Sequence, residues 1–100
     1  MERVDIHKAK ELIDHSHIKI VDIRDDESYR EAHITDAQLI NNSNLNQFLK
    51  DTDKNIPLLC YCYHGISSQS AAQYFKDRGF QTVYSMDGGF EAWKEEYPTT

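Results

Sequence analysis

The segment PLLCYCY, residues 57–63, is the sequence feature that most limits how this chain can fold. It is a nearly unbroken apolar run of strand length, which is typical of a central parallel strand buried on both faces. A short polar stretch containing Gly65 follows it, and residues 67–78 then favour a helix. A buried strand that leads through a tight turn into a helix indicates a sheet whose strands are connected by helices.

The rest of the chain alternates strand-like and helix-like segments, without repeats or linkers between them. The predicted strands share short apolar runs and cover residues 4–6, 18–23, 37–40, 57–63 and 82–86. Helices are predicted for residues 7–15, 25–32, 67–78 and 88–97, and for a segment that follows Ser43. We expect Ser43 to cap that helix. The pattern predicts one α/β domain over residues 1–100, with an open, mostly parallel five-stranded sheet and helices on both faces.

Composition and charge argue against a nucleic-acid-binding protein, a membrane protein and a disulfide-bonded protein. The net charge of −6 argues against nucleic acid as a partner, since nucleic-acid binding requires basic surfaces. No apolar run approaches the ~20 residues of a membrane span, and the N-terminal sequence lacks the apolar stretch of a signal peptide. The two cysteines, Cys60 and Cys62, are too close in sequence for an unstrained disulfide. We therefore expect a cytoplasmic protein with free thiols and no membrane partner.

Cys62 stands where the buried strand ends and the loop before the helix begins. Ligands of open α/β sheets bind beyond the carboxyl ends of the strands. Gly65 allows the loop to curl, because glycine accepts positive φ, and several backbone N–H groups then point at the sulfur. These donors and the helix N-terminus lower the pKa of a thiol and attract an anion. We interpret Cys62 as a nucleophile, and Cys60, in mid-strand, as a buried apolar residue.

Cysteine phosphatases and arsenate reductases use a similar loop, in which an arginine follows the cysteine after five residues. That arginine grips the phosphate through two hydrogen bonds. In this chain Ser68 occupies the position, and the next arginine is Arg78, at the far end of the predicted helix. The sequence therefore argues against a phosphatase.

Four motifs resemble the single-domain rhodaneses, which are thiosulfate sulfurtransferases: VDIRD, YREAHI, CYHGISS and GGFEAW. The resemblance extends over residues 4–98. In that family a six-residue loop beginning with the cysteine cradles the sulfur, which corresponds here to residues 62–67, with Ser68 just after. Ala32 stands where the family usually has glycine, and Ile66 occupies a loop position that is often polar. This loop also lacks the arginines found in many rhodaneses.

The resemblance implies that Cys62 takes the outer sulfur of thiosulfate, releases sulfite and carries the sulfur as a persulfide. Cyanide accepts it in an assay, and a small thiol or a thioredoxin-like protein in the cell. No cofactor or metal is required. The expected substrate-binding residues are those of the loop: Tyr63, His64, Gly65, Ile66, Ser67 and Ser68.

Other residues near the predicted site have structural interpretations. We expect Asp22 and Arg24 to form an ion pair or loop anchor, and His33 to pack or hydrogen-bond near the sheet edge. One of Ser67 and Ser68 is expected to be the helix N-cap. Two other functions remain open: a sulfur-carrying or protein-binding rhodanese module without turnover, and, with less support, the phosphatase or arsenate reductase.

Overall fold

The structure is a computed structural model that describes all 100 residues. The chain forms five strands: β1 (Glu2–Val4), β2 (Lys19–Asp22), β3 (Gln38–Leu39), β4 (Leu58–Tyr61) and β5 (Val83–Met86). It forms five helices: α1 (Ile6–His15), α2 (Asp26–Glu31), α3 (Leu45–Asp51), α4 (Ser67–Asp77) and α5 (Gly89–Glu96). The predicted α/β fold is confirmed, and every strand pair is parallel.

The strands are arranged in the order β1-β5-β4-β2-β3, so that β4 lies at the centre of the sheet. Its four residues, Leu58 to Tyr61, have no exposed surface. The parallel register pairs Asp22 of β2 with Tyr61, and Cys60 with Ser85 of β5. The prediction of a central strand buried on both faces is therefore confirmed, and its carboxyl end delivers the chain to Cys62.

Two apolar cores cover the two faces of the sheet. Along β4, successive side chains point to opposite faces. Leu59 and Tyr61 join a core that includes Phe90 and Trp93 of α5. Leu58 and Cys60 join the other, which includes Phe48 of α3 and Phe75 of α4. Burial on both faces explains why this segment lacks polar residues.

Most element boundaries differ by one or two residues from those predicted, and the first strand is shifted at both ends. The first strand was expected at residues 4–6 and lies instead at Glu2–Val4. Asp5 ends it, because the Asp5 carboxylate accepts the Lys8 amide hydrogen at 2.8 Å and so caps α1, which begins at Ile6.

The expected capping role of Ser43 is also wrong. Asn44 holds the N-cap position of α3, with no side-chain capping bond. The Ser43 hydroxyl donates instead to the Asn41 side chain at 2.6 Å.

The longest helix, α4, has 11 residues. No helix combines the length and the apolar character that a membrane crossing requires.

Candidate active site around Cys62

Cys62 follows β4 directly, and its side chain lies inside a tight loop. The sulfur accepts amide hydrogens from Gly65 and Ser68, each at 3.2 Å. The amides of Ile66 and Ser67 donate to no acceptor in the protein. Gly65 has φ +88°, which lets the chain curl back toward the sulfur. The loop thus surrounds one sulfur atom with donors and leaves further donors free for a ligand.

The surroundings of the two thiols move their pKa values in opposite directions. Burial raises the pKa of the Cys62 thiol, but hydrogen bonds from the Ser68 hydroxyl and from the Ser68, Gly65 and His64 amides outweigh it, so that the pKa lies below its ordinary value. Burial alone raises the pKa of Cys60 to about 12. Cys60 therefore stays a thiol, while the thiolate fraction of Cys62 is larger than that of an ordinary cysteine.

The start of α4 differs from the expectation that Ser67 or Ser68 is its N-cap. Ile66 holds that position, and no side chain caps the helix. The Cys62 sulfur accepts the Ser68 amide hydrogen instead, and so takes part of the role of a cap. The Ser68 side chain has no exposed surface and points inward, where its oxygen lies 2.8 Å from the Ser85 hydroxyl.

The first turn of α5 contacts the loop through backbone hydrogen bonds. The Phe90 amide donates to the Cys62 carbonyl at 2.8 Å, and the Glu91 amide donates to the Tyr63 carbonyl at 3.0 Å. The approach is so close that a Cβ at Gly65 would lie 2.8 Å from the Gly88 nitrogen. The glycine pair Gly88 and Gly89 thus packs directly against the loop that contains Cys62, a contact that was not predicted from the sequence.

The mouth of the site is partly apolar. Ile66 is 75% exposed and Tyr63 is 38% exposed. A cavity of about 280 Å³ opens there, lined by Cys62, Tyr63, His64, Ile66 and Ser67. A space of this size accommodates a small anion beside the sulfur.

Asp22 and Arg24 form a buried ion pair beneath the loop. The two side chains are 0% and 3% exposed, and their closest atoms lie 2.7 Å apart. Arg24 also donates to the Ala32 carbonyl at 2.7 Å, and its guanidinium lies 4.1 Å from the centre of the Phe90 ring. The pair therefore connects the end of β2 to the segment after α2 and to the helix that holds the loop.

Tyr63 connects the loop to the start of α2. Its hydroxyl donates to the Asp25 carboxylate and also contacts the Ser28 hydroxyl. These bonds, led by that from Tyr63, lower the pKa of Asp25 to about 2. Asp25 also caps α2 by accepting the Ser28 amide hydrogen. The sequence alone does not connect Asp25 with the loop, because the two come together only when the chain folds.

His33 has contacts away from the sulfur. Its ring stacks on Tyr29, with centroids 3.9 Å apart, and its Nδ1 lies 2.8 Å from the Tyr29 carbonyl. His33 also exchanges backbone hydrogen bonds with Thr100. Among the remaining polar side chains, no group of three or more is placed to hold a metal ion.

Comparison with known proteins agrees with this fold. The model of the rhodanese-like domain family matches residues 5–96. The chain is 47% identical to thiosulfate sulfurtransferase GlpE of Coxiella burnetii over 93 residues, which are 93% of this chain and 87% of that protein. It is 45% identical to the GlpE of Shewanella oneidensis, over 94% of this chain and 93% of that one.

Solved structures show the same likeness. A rhodanese-like domain protein from Staphylococcus aureus superposes with a TM-score of 0.81 at 26% identity, covering 93% of this chain and 91% of that one. A protein from Bacillus halodurans superposes with a TM-score of 0.85 at 30% identity, covering 99% of this chain and 76% of that one. The chain belongs to the rhodanese-like domain family.

Proposed function

We propose that this protein is a thiosulfate sulfurtransferase in which Cys62 carries the transferred sulfur. The observation that carries the proposal is the position of the Cys62 sulfur, which accepts amide hydrogens from Gly65 and Ser68. The identity of 42–47% to curated thiosulfate sulfurtransferases supports it.

In the first step, the Cys62 thiolate attacks the outer sulfur of thiosulfate. The sulfur–sulfur bond of thiosulfate breaks, and its electron pair leaves with sulfite. A new sulfur–sulfur bond forms on Cys62, and the negative charge moves to the outer atom of the persulfide. The lowered pKa of Cys62 increases the fraction of thiolate available for this attack.

In the second step, a nucleophile attacks the outer persulfide sulfur and the Cys62 thiolate leaves. The loop amides stabilise charge on the sulfur atoms in both steps, as an oxyanion hole stabilises oxygen. Cyanide accepts the sulfur in an assay. We propose a small thiol or a thioredoxin-like protein as the cellular acceptor, a choice supported by the exposed apolar side chain of Ile66 beside the nucleophile.

Backbone groups allow a chain of net charge −6 to bind a dianion. The free amides of Ile66 and Ser67 lie at the start of α4. A helix N-terminus carries a partial charge of about +0.5. These groups make the loop locally positive without basic side chains.

A cysteine phosphatase is less well supported. Ser68 stands in the place of the phosphate-gripping arginine, and its side chain is buried. Arg24, which lies beneath the loop, is already engaged with Asp22 and Ala32. No guanidinium is therefore available to neutralise a phosphate in the cavity.

We place the protein in the cytoplasm. Both cysteines are free, and a reducing compartment preserves thiols.

The test is the formation of thiocyanate from thiosulfate and cyanide. We expect turnover by the wild-type protein, none above background by Cys62→Ser, and retained turnover by the control Cys60→Ala. Turnover by folded Cys62→Ser would exclude the proposed role of Cys62. Hydrolysis of an aryl phosphate without thiocyanate formation would favour the phosphatase.

A further inference from the structure

The peptide group that joins Gly65 to Ile66 lies where the sulfur-binding loop meets α4. Its carbonyl receives no backbone hydrogen bond, because the Gln69 amide donates to the Ile66 carbonyl instead, at 3.1 Å. The Gln69 side chain supplies a donor in its place, with its Nε2 atom 2.9 Å from the Gly65 oxygen. A half-buried side chain of α4 therefore holds one particular peptide group of the loop.

The N–H of the same peptide group is the Ile66 amide, which donates to no acceptor in the protein. A trans peptide is planar, and its N–H points away from its C=O. The Gly65 carbonyl points along α4 toward Gln69, so the Ile66 N–H points out of the helix, as the first amides of a helix do. The Gly65 and Ser68 amides, on either side of it in the chain, donate to the Cys62 sulfur. The Ile66 amide thus remains available to an atom beyond that sulfur.

Backbone sterics alone hold this peptide group loosely. Gly65 has no Cβ, so rotation about its ψ angle meets less resistance than at any other residue type. The hydrogen bond from Gln69 opposes that rotation, because a turned Gly65 carbonyl would lose its only donor in the protein. The direction of the Ile66 N–H therefore depends on a side chain that lies outside the loop.

We propose that Gln69 is a positioning residue that holds the Gly65 carbonyl and thereby aims the Ile66 amide at the anion bound beside Cys62. After sulfur transfer, the same amide faces the outer sulfur of the persulfide. The inference rests on the proposed function for the identity of these ligands. Gln69 acts only through the peptide group, since the Cys62 sulfur accepts its hydrogen bonds from the backbone of Gly65 and Ser68.

The test titrates inorganic sulfate, an unreactive dianion, into isotope-labelled protein at constant ionic strength and follows the Ile66 amide resonance by NMR. Gln69→Met is the informative substitution, because methionine has nearly the same length, is a good helix former and has no N–H donor. Gln73→Met is the matched control, one turn further along α4, where the Gln73 side chain donates to Asp77 at 2.9 Å. Each variant is first checked for cooperative unfolding.

We expect sulfate to move the Ile66 resonance of the wild-type protein saturably. Gln69→Met should require roughly three- to tenfold more sulfate for half-saturation, the factor that corresponds to the loss of one hydrogen bond. Its kcat/KM for thiosulfate should fall by a similar factor. The rate at which iodoacetamide alkylates Cys62 should keep its wild-type pH profile, because the donors to the sulfur itself are unchanged. Gln73→Met should match the wild type in all three measurements.

Wild-type sulfate affinity in folded Gln69→Met would overturn the proposal, and so would a wild-type Ile66 resonance that does not respond to sulfate. Equal weakening in Gln73→Met would also overturn it, since the cause would then be the helix as a whole. A shifted alkylation profile in Gln69→Met would show that the entire loop had moved, which contradicts the proposed role. The sulfate titration needs no thiosulfate, so a wild-type protein without sulfur transfer would refute the proposed function and leave this inference to be decided by the sulfate affinities.

Discussion

Gly89 lies so close to Tyr63 that a Cβ on Gly89 would fall 2.4 Å from the carbonyl carbon and oxygen of Tyr63. Gly89 also has φ +61°, a conformation that disfavours other residues. This approach lets the next two amides of α5, those of Phe90 and Glu91, donate to the carbonyls of Cys62 and Tyr63. The glycine therefore positions the loop that surrounds the sulfur.

Gly89→Ala should lower the free energy of unfolding by about 3 kcal/mol and reduce sulfur transfer, because both the backbone strain and the clash act on the loop. Gly79→Ala is the control: Gly79 has φ +106° with open space around it. Gly79→Ala should lower the free energy of unfolding by only about 1–2 kcal/mol and leave sulfur transfer unchanged. Denaturant unfolding and the thiocyanate assay check both, and equal effects of the two substitutions would contradict this account.

Asp22→Ala should lower the free energy of unfolding by about 3–5 kcal/mol, because it leaves the buried Arg24 guanidinium without its charged partner. Arg30→Ala is the matched control, since Arg30 pairs with Asp26 at the surface. Such an exposed pair contributes about 0–1 kcal/mol. Urea denaturation measures both variants. A loss below about 1 kcal/mol for Asp22→Ala would show that the buried pair is not an anchor.

Tyr63→Phe should raise the pKa of Asp25 from about 2 toward its ordinary value, because the Tyr63 hydroxyl makes the largest contribution to the shift. A lowered folded pKa adds stability above the unfolded pKa, and this stability is lost as the pH falls through the folded value. The variant should therefore be less stable than the wild type above the unfolded pKa, and it should lose less stability than the wild type as the pH falls toward 2. NMR titration of the Asp25 carboxyl measures the shift, with Tyr84→Phe as control. An unmoved Asp25 pKa would refute the contact.

Iodoacetamide should label Cys62 and spare Cys60 in the folded protein at neutral pH. The labelling rate should fall as the pH drops through the Cys62 pKa, which lies below that of an ordinary thiol. Cys60, with a pKa of about 12, should react only after unfolding. Peptide mass mapping identifies the labelled residue, and preferential labelling of Cys60 would contradict the assignment.

The stability contributed by the two thiols should depend on pH in opposite directions. The lowered pKa of Cys62 adds stability above the pKa of an unfolded thiol, and this is lost as the pH falls through the folded value. The raised pKa of Cys60 adds stability below the unfolded pKa, and this is lost as the pH rises toward 12. Cys62→Ala should remove the first dependence and Cys60→Ala the second. Unfolding free energies measured across pH 6–10 test this, and identical profiles for both variants would contradict it.

The elements that could be predicted from the sequence are those marked by residues within the element itself or next to it. The apolar run that forms β4 shows its burial directly, and Gly65 next to Cys62 marks the turn that surrounds the sulfur. The first strand was misplaced because it has three residues, of which only Val4 is buried. Such a strand has no alternating pattern, and the apolar Ile6 fits a strand or a helix equally well.

The supporting contacts of the site could not be predicted, because they join residues that are distant in the sequence. Ser68 and Ser85 are 17 positions apart, and local signals for Ser68 indicate a helix cap. Its inward orientation results from a partner on β5. The proximity of Gly89 to Tyr63 likewise arises only when α5 packs against the loop.

The central claim is that Cys62 accepts a sulfur atom from thiosulfate, and intact mass tests it most directly. The protein is incubated with thiosulfate, freed of excess reagent and weighed by mass spectrometry. We predict a gain of one sulfur atom that cyanide removes, that Cys60→Ala retains and that Cys62→Ser lacks. An unchanged wild-type mass, or the same gain in Cys62→Ser, would contradict the account.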